Sequence, residues 1–260
     1  MDAILVDVTK CTGCEACVAA CVEANGIDPR AAAVDRAVAR DGLSANLFCA
    51  VQQVQGRYVR KACMHCLEPS CAAACPVGAL TKSPRGPVEY DEDACIGCRY
   101  CMLACPFHVP RYEWDHTLPF LRKCTLCSDR LRDGKRPACV EACPHEAIVF
   151  GDRDALLLRA RALIERGPGH YLPLVWGESS WGGTCVLYVS DVDLEQAGWP
   201  RGFPAPISAV TEPLISKTPL IGLTVGFGLW AVMAIIARRR RLMGGAEGAE
   251  EPESREGGDE

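Results

Sequence analysis
At 260 residues and 49% hydrophobic content the chain can fill one or two packed domains. Its formal net charge is -5, and residues 244–260 hold Glu247, Glu250, Glu251, Glu253, Glu256, Asp259 and Glu260 against Arg255 alone. The rest is near neutral, which gives no support to nucleic-acid binding, since that would want a basic face. Of the 18 cysteines, all but Cys49 and Cys185 fall in four runs with metal-ligand spacing, which excludes a small secreted disulfide framework.

In chain order, Met1 to Val8 carries an apolar Ala-Ile-Leu-Val segment, too short for a signal sequence and without paired arginines before it. It reads as a strand. Run one is Cys11, Cys14, Cys17 and Cys21, with Gly13 at the third position and an Ala-rich helix from Ala16 to Ala24 that Gly26 ends. Residues 27–62 read as an insertion between repeats, strand-like from Gly56 to Val59, with the solitary Cys49 as a small buried hydrophobe. Run two is Cys63, Cys66, Cys71 and Cys75, followed by Pro76. Strand-like pieces from Val77 to Thr81 and Pro87 to Tyr90 lead to run three, Cys95, Cys98, Cys101 and Cys105, followed by Pro106. Run four is Cys124, Cys127, Cys139 and Cys143 before Pro144, with a basic loop in its long gap, and Ala147 to Phe150 repeats the strand after run two. Self-similar units at short period imply a fold built by duplication.

The run-three spacing, C-x2-C-x2-C-x3-C-P, is the ferredoxin pattern. Three thiolates on a tight loop grip one 4Fe-4S cluster and the fourth ligates a neighbouring cluster. Four such runs supply ligands for four 4Fe-4S clusters. Runs two and three are adjacent, so Cys63, Cys66 and Cys71 share a cluster with Cys105, and Cys95, Cys98 and Cys101 with Cys75. Runs one and four then pair across the chain: Cys11, Cys14 and Cys17 with Cys143, and Cys124, Cys127 and Cys139 with Cys21. The expected fold is α+β: two ferredoxin-like modules each binding two clusters, plus a single C-terminal transmembrane helix. Module I is 1–26 with 111–151, and module II is 63–110.

A cluster with four protein thiolates leaves no iron open to substrate, and the sequence has no C-x3-C-x2-C run, nucleophile elbow, phosphate-cradling glycine loop or zinc-spaced histidine pair. No catalytic residue is expected. His65 and His145, beside cluster runs, suit hydrogen-bonding or exposed roles rather than ligation. Arg99, Lys123 and His108 either raise cluster potentials or are ordinary solvated side chains.

Beyond Gly151, Asp152 caps an expected helix from Arg153 to Arg166, and Gly183 to Val192 reads as a strand carrying a structural Cys185. This extension, 152–198, leads to a proline-rich linker, 199–218. Residues 219–237 are uncharged over a length of about 30 Å, the thickness of a bilayer core. Arg238 to Arg241 follow at once, before the acidic tail. By the positive-inside rule the basic block stays cytoplasmic and the cluster-bearing head faces the periplasm. Gly222, Gly226 and Gly228 form an edge open to a partner helix.

Cys63-Met-His-Cys66, Gly97-Cys-Arg-Tyr-Cys-Met-Leu-Ala-Cys-Pro-Phe-His-Val-Pro110, Lys123-Cys-Thr-Leu-Cys127 and Pro137-Ala-Cys-Val-Glu-Ala-Cys-Pro144 together resemble one family. With Ile148-Val-Phe-Gly151, the strand after Gly182 and the terminal apolar segment, the chain is similar over nearly its whole length to the iron-sulfur beta subunits of respiratory formate dehydrogenase and hydrogenase-2 type enzymes. The resemblance implies an electron-transfer subunit that connects a molybdopterin or nickel-iron catalytic subunit to a membrane cytochrome b or quinone-interacting subunit at the inner membrane. Hydrogenase-type members carry a twin-arginine signal, whereas formate dehydrogenase members travel with a signal-bearing partner, the mode expected here. The other readings are a cytoplasm-facing subunit of another molybdopterin oxidoreductase and an iron-sulfur redox sensor.

Overall fold
A computed structural model of the protein describes residues 1–39, 41–114, 119–201, 205–206, 209 and 217–244, in two units, Met1–Val210 and Thr211–Glu260. The first unit is built on strand β1 (Asp2–Asp7), whose side chains alternate between two cores. Ile4, Val6 and the adjoining Val8 enter one core, and Ala3 and Leu5 enter the other. A strand covered on both faces reads as a continuous apolar run, which is the sequence observed. β1 pairs antiparallel with β8 (Ile148–Asp152) and parallel with β9 (Val186–Val189), so that Ile4 faces Phe150 on one side and Val186 on the other.

Helix α7 (Arg153–Arg166) closes the second core with Leu156 and Ala160. The Asp152 carboxylate caps it by accepting from the N–H groups of Asp154 and Ala155. Residues 152–198 thus supply an edge strand and a cover to the sheet that also carries β1. β9 is shorter than the expected strand, because Gly183 adopts φ 87° and the chain there forms a turn.

β1 precedes run one and β8 follows run four, so their pairing draws together the runs most distant in sequence. Helix α1 (Ala16–Ala24) packs on α6 (Ala138–Glu141) beside them. The segment between runs one and two forms α2 (Pro29–Val38), capped by Asp28, and a hairpin of β2 (Cys49–Val54) and β3 (Arg57–Ala62). Gly56 corrects the expected strand: with Gln55 it makes the two-residue turn, at φ 78° and 48°, the left-handed backbone such a hairpin needs.

Runs two to four are threaded through short elements: α3 (Ser70–Ala73), the hairpin β4 (Leu80–Lys82) and β5 (Val88–Tyr90), α4 (Tyr100–Ala104), β6 (Arg111–Tyr112) with β7 (Leu121–Arg122), and α5 (Ser128–Arg132). A smaller core of Leu80, Val88, Tyr112 and Leu121 includes Cys71 and Cys101.

Trp199, expected to open the linker, is instead 5% exposed. Its ring meets Tyr188 edge-on at 4.6 Å and Trp181 at 5.9 Å, so the packed unit extends past it. Most of the expected linker and all of the acidic tail lie outside the described residues. In the second unit, one helix runs from Thr218 to Gly244, continuous through Arg238–Arg241. Within its stretch Thr218–Met243 an 18-residue window reaches a mean hydropathy of 2.3 with none of it buried, long and apolar enough to cross a membrane.

Candidate iron-sulfur cluster sites
All sixteen run cysteines are described, and none is in a disulfide. The four runs share one local device. The N–H two residues after the first cysteine turns back onto its sulfur: His65 to Cys63, Gly97 to Cys95 and Leu126 to Cys124, each at 3.4 Å, and Gly13 to Cys11. The turn needs left-handed backbone, and these four residues have φ of 76° (Gly13), 47° (His65), 68° (Gly97) and 56° (Leu126). Glycine takes that conformation freely; histidine and leucine do so at a cost of about 1 kcal/mol or more. His65 and Leu126 are both buried, so packing holds them there.

The thiols converge across runs. Burial pushes the Cys11 thiol up, and the neighbouring sulfurs of Cys17, Cys143 and Cys14 push it further. Cys21 is raised by burial and by Cys124, Cys139 and Cys127. Cys66 is driven well up by burial and by Cys63, Cys105 and Cys71. Cys101 is raised by burial and by Cys95, Cys98 and Cys75, against the lowering hydrogen bond from Tyr112. Each group joins three cysteines of one run to the last cysteine of another.

Some influences cross between these sets: Cys139 feels Cys17, Cys71 feels Cys101, and Cys63 feels Cys124 more than Cys105. Cys98 and Cys14 are exposed, whereas the other fourteen run cysteines are buried or half-buried.

Among the described residues no three His, Cys, Asp or Glu side chains converge closely enough for a single metal ion. A cubane makes no such demand, since its four irons sit at separate corners and each thiolate binds a different one. Four thiols per site, unsatisfied as thiolates by burial and met by inward backbone N–H groups, fit a 4Fe-4S cluster. Burial first, and then the neighbouring sulfurs, hold Cys63 and Cys139 at about 11 and Cys71 at about 12 despite the cations Lys123 and Arg60, so it is metal binding that would make them thiolates.

The residues around the sulfurs divide sharply. Lys123 is buried, and its ammonium donates to the carbonyl of Cys124 at 3.2 Å. Arg99 lies at the surface over the Trp114 ring at 4.5 Å, and His108 and His145 are exposed. His65 is fully buried and held neutral by burial and nearby cations; its Nδ1 accepts from the Val88 N–H at 2.9 Å. Cys49 is buried as expected, but it is more than a filler. Its thiol hydrogen-bonds Cys17 and is the largest cause of the drop of Cys17 to about 6. Sequence reasoning also missed Arg60, a buried arginine on β3 within reach of Cys139. No sequence signal singles out either residue, since β3 carries three cations and β2 two glutamines beside Cys49.

Residues 54–153 match the family model of the 4Fe-4S dicluster domain. The protein is 33% identical to the hydrogenase-2 operon protein HybA of Escherichia coli O157:H7, over 96% of its own length and 88% of that protein. It is 36% identical to the formate dehydrogenase iron-sulfur subunit of Haemophilus influenzae, over 71% of its own length and 63% of that subunit. Identity to the B subunit of the anaerobic dimethyl sulfoxide reductase of Escherichia coli is 39%, over 58% of the present sequence and 73% of the relative.

Proposed function
The chain belongs to the family of 4Fe-4S electron-transfer subunits that includes HybA and the formate dehydrogenase iron-sulfur subunits, and from that premise we propose that it is a four-cluster wire between a catalytic subunit and the membrane. The observation that supports this reading is four runs of free cysteines that repeat one inward N–H turn onto the first sulfur, with only Cys14 and Cys98 of the sixteen exposed. Bound clusters would supply one-electron carriers with no iron open to substrate. The protein's own residues hold them in sequence, keep water from the buried thiols, and leave Cys98 and Cys14 at the faces where electrons enter and leave.

The catalytic partner in this reading is a molybdopterin or nickel-iron subunit, and the acceptor is a membrane cytochrome b or quinone-reducing subunit. The C-terminal helix anchors the protein in the inner membrane with the head on the periplasmic side. Similarity to the B subunit of dimethyl sulfoxide reductase supports a second reading, a cytoplasm-facing subunit of another molybdopterin oxidoreductase.

Anaerobic iron and sulfide analysis of the complex purified from solubilised membranes tests the wire. It should give about sixteen of each per chain, with interacting 4Fe-4S signals in electron paramagnetic resonance. A value near eight would mean that two of the four sites do not ligate. Mass spectrometry of the co-purifying large subunit distinguishes the molybdopterin from the nickel-iron partner.

A further inference from the structure
Arg60 is 2% exposed, and its Nη2 lies 3.5 Å from the Cys139 sulfur. Its Nε and Nη1 have no hydrogen-bond partner among the described residues. A guanidinium keeps its charge throughout the accessible pH range, and burying it without an anion is strongly unfavourable. The cations that share its strand are paired with carboxylates, Arg57 with Asp191 and Lys61 with Asp41 at 3.1 Å. The Arg60 backbone is fixed from the other side, where its carbonyl accepts from the Tyr188 hydroxyl at 2.8 Å.

The Arg60 side chain is thus buried against Cys139 of run four, and its Nε and Nη1 together carry three N–H groups without a partner among the described residues. We infer that Arg60 is a built-in counter-charge for the run-four cluster that raises its reduction potential. The inference rests on the four-cluster reading.

The physical reason is the asymmetry between the two redox states. A tetrathiolate 4Fe-4S cluster is anionic when oxidised and gains one further negative charge when reduced. A fixed cation in a poorly screened interior therefore favours the reduced form. The hydrogen bond that Nη2 donates to the Cys139 sulfur acts in the same sense.

The test compares the purified complex carrying the native protein, Arg60→Lys and Arg60→Gln, read by iron content and by redox titration monitored with electron paramagnetic resonance. In Arg60→Gln the midpoint of one centre should fall, and it should be the centre whose spectrum changes in Cys139→Ser; Arg60→Lys should recover most of the shift. Unmoved midpoints in Arg60→Gln at full iron content would overturn the inference, as would equal displacement in both variants, which would make the effect one of shape rather than charge. If Arg60→Gln loses iron, Arg60→Lys decides: full iron with a near-native midpoint supports the counter-charge, and loss in both overturns it. Failure of the cluster reading itself is seen separately, as low iron in the native complex.

Discussion

The Tyr112 hydroxyl lies 3.4 Å from the Cys101 sulfur, with both residues buried under the run-three loop. A sulfur bound to iron has no proton to give, so in a loaded site the phenol is the donor and the sulfur the acceptor. Tyr112→Phe removes the donor with little change of volume. It should lower the midpoint of the run-three centre while costing about 1 kcal/mol of stability, the usual net worth of one hydrogen bond. Redox titration at unchanged iron content checks this; a midpoint equal to the native one would show that the hydroxyl does not tune that site.

The Cys75 sulfur accepts from the Ala79 N–H at 3.2 Å, and in the proposed exchange of fourth ligands it completes the site of run three. Cys75→Ala should therefore damage the centre of Cys95, Cys98 and Cys101 and leave that of Cys63, Cys66 and Cys71 intact. The loss is expected to be about four irons per chain. Spectroscopic loss of the centre of Cys63, Cys66 and Cys71 instead would refute the exchanged fourth ligand.

Gly13 and Gly97 hold the same place in their runs but not the same surroundings. A Cβ on Gly97 would meet nothing within 4 Å, so Gly97→Ala adds only the strain of left-handed backbone, about 1–2 kcal/mol. A Cβ on Gly13 would lie 2.6 Å from the Tyr58 ring, so Gly13→Ala must also displace an aromatic side chain. Gly13→Ala should lose iron on mild heating well before Gly97→Ala. Equal lability in the two variants would mean that the Tyr58 contact does not brace the run-one loop.

Topology can be read with protease. If the head faces the periplasm, protease added to intact spheroplasts should digest it and spare the tail beyond Arg241. A head protected in spheroplasts, with its catalytic partner present, would favour the cytoplasm-facing alternative.

The family was legible in the sequence because ligand spacing is local. A thiolate loop around a cubane requires short fixed gaps, so the four runs stand out without any tertiary contact, and Asp152 declares the start of α7 by the same local logic of capping. The long apolar terminal helix was equally legible, since it needs only length and the absence of charge. The surroundings of the sulfurs were not, nor were the places of Arg60 and Cys49. Those follow from β1 lying between β8 and β9 and from the β2–β3 hairpin folding against run one, which set an arginine and a thiol from the apparent insertion beside Cys139 and Cys17. No local spacing encodes such neighbours. A buried charge is tolerated only where folding carries an anion to it, and that meeting is decided by packing between segments far apart in the sequence.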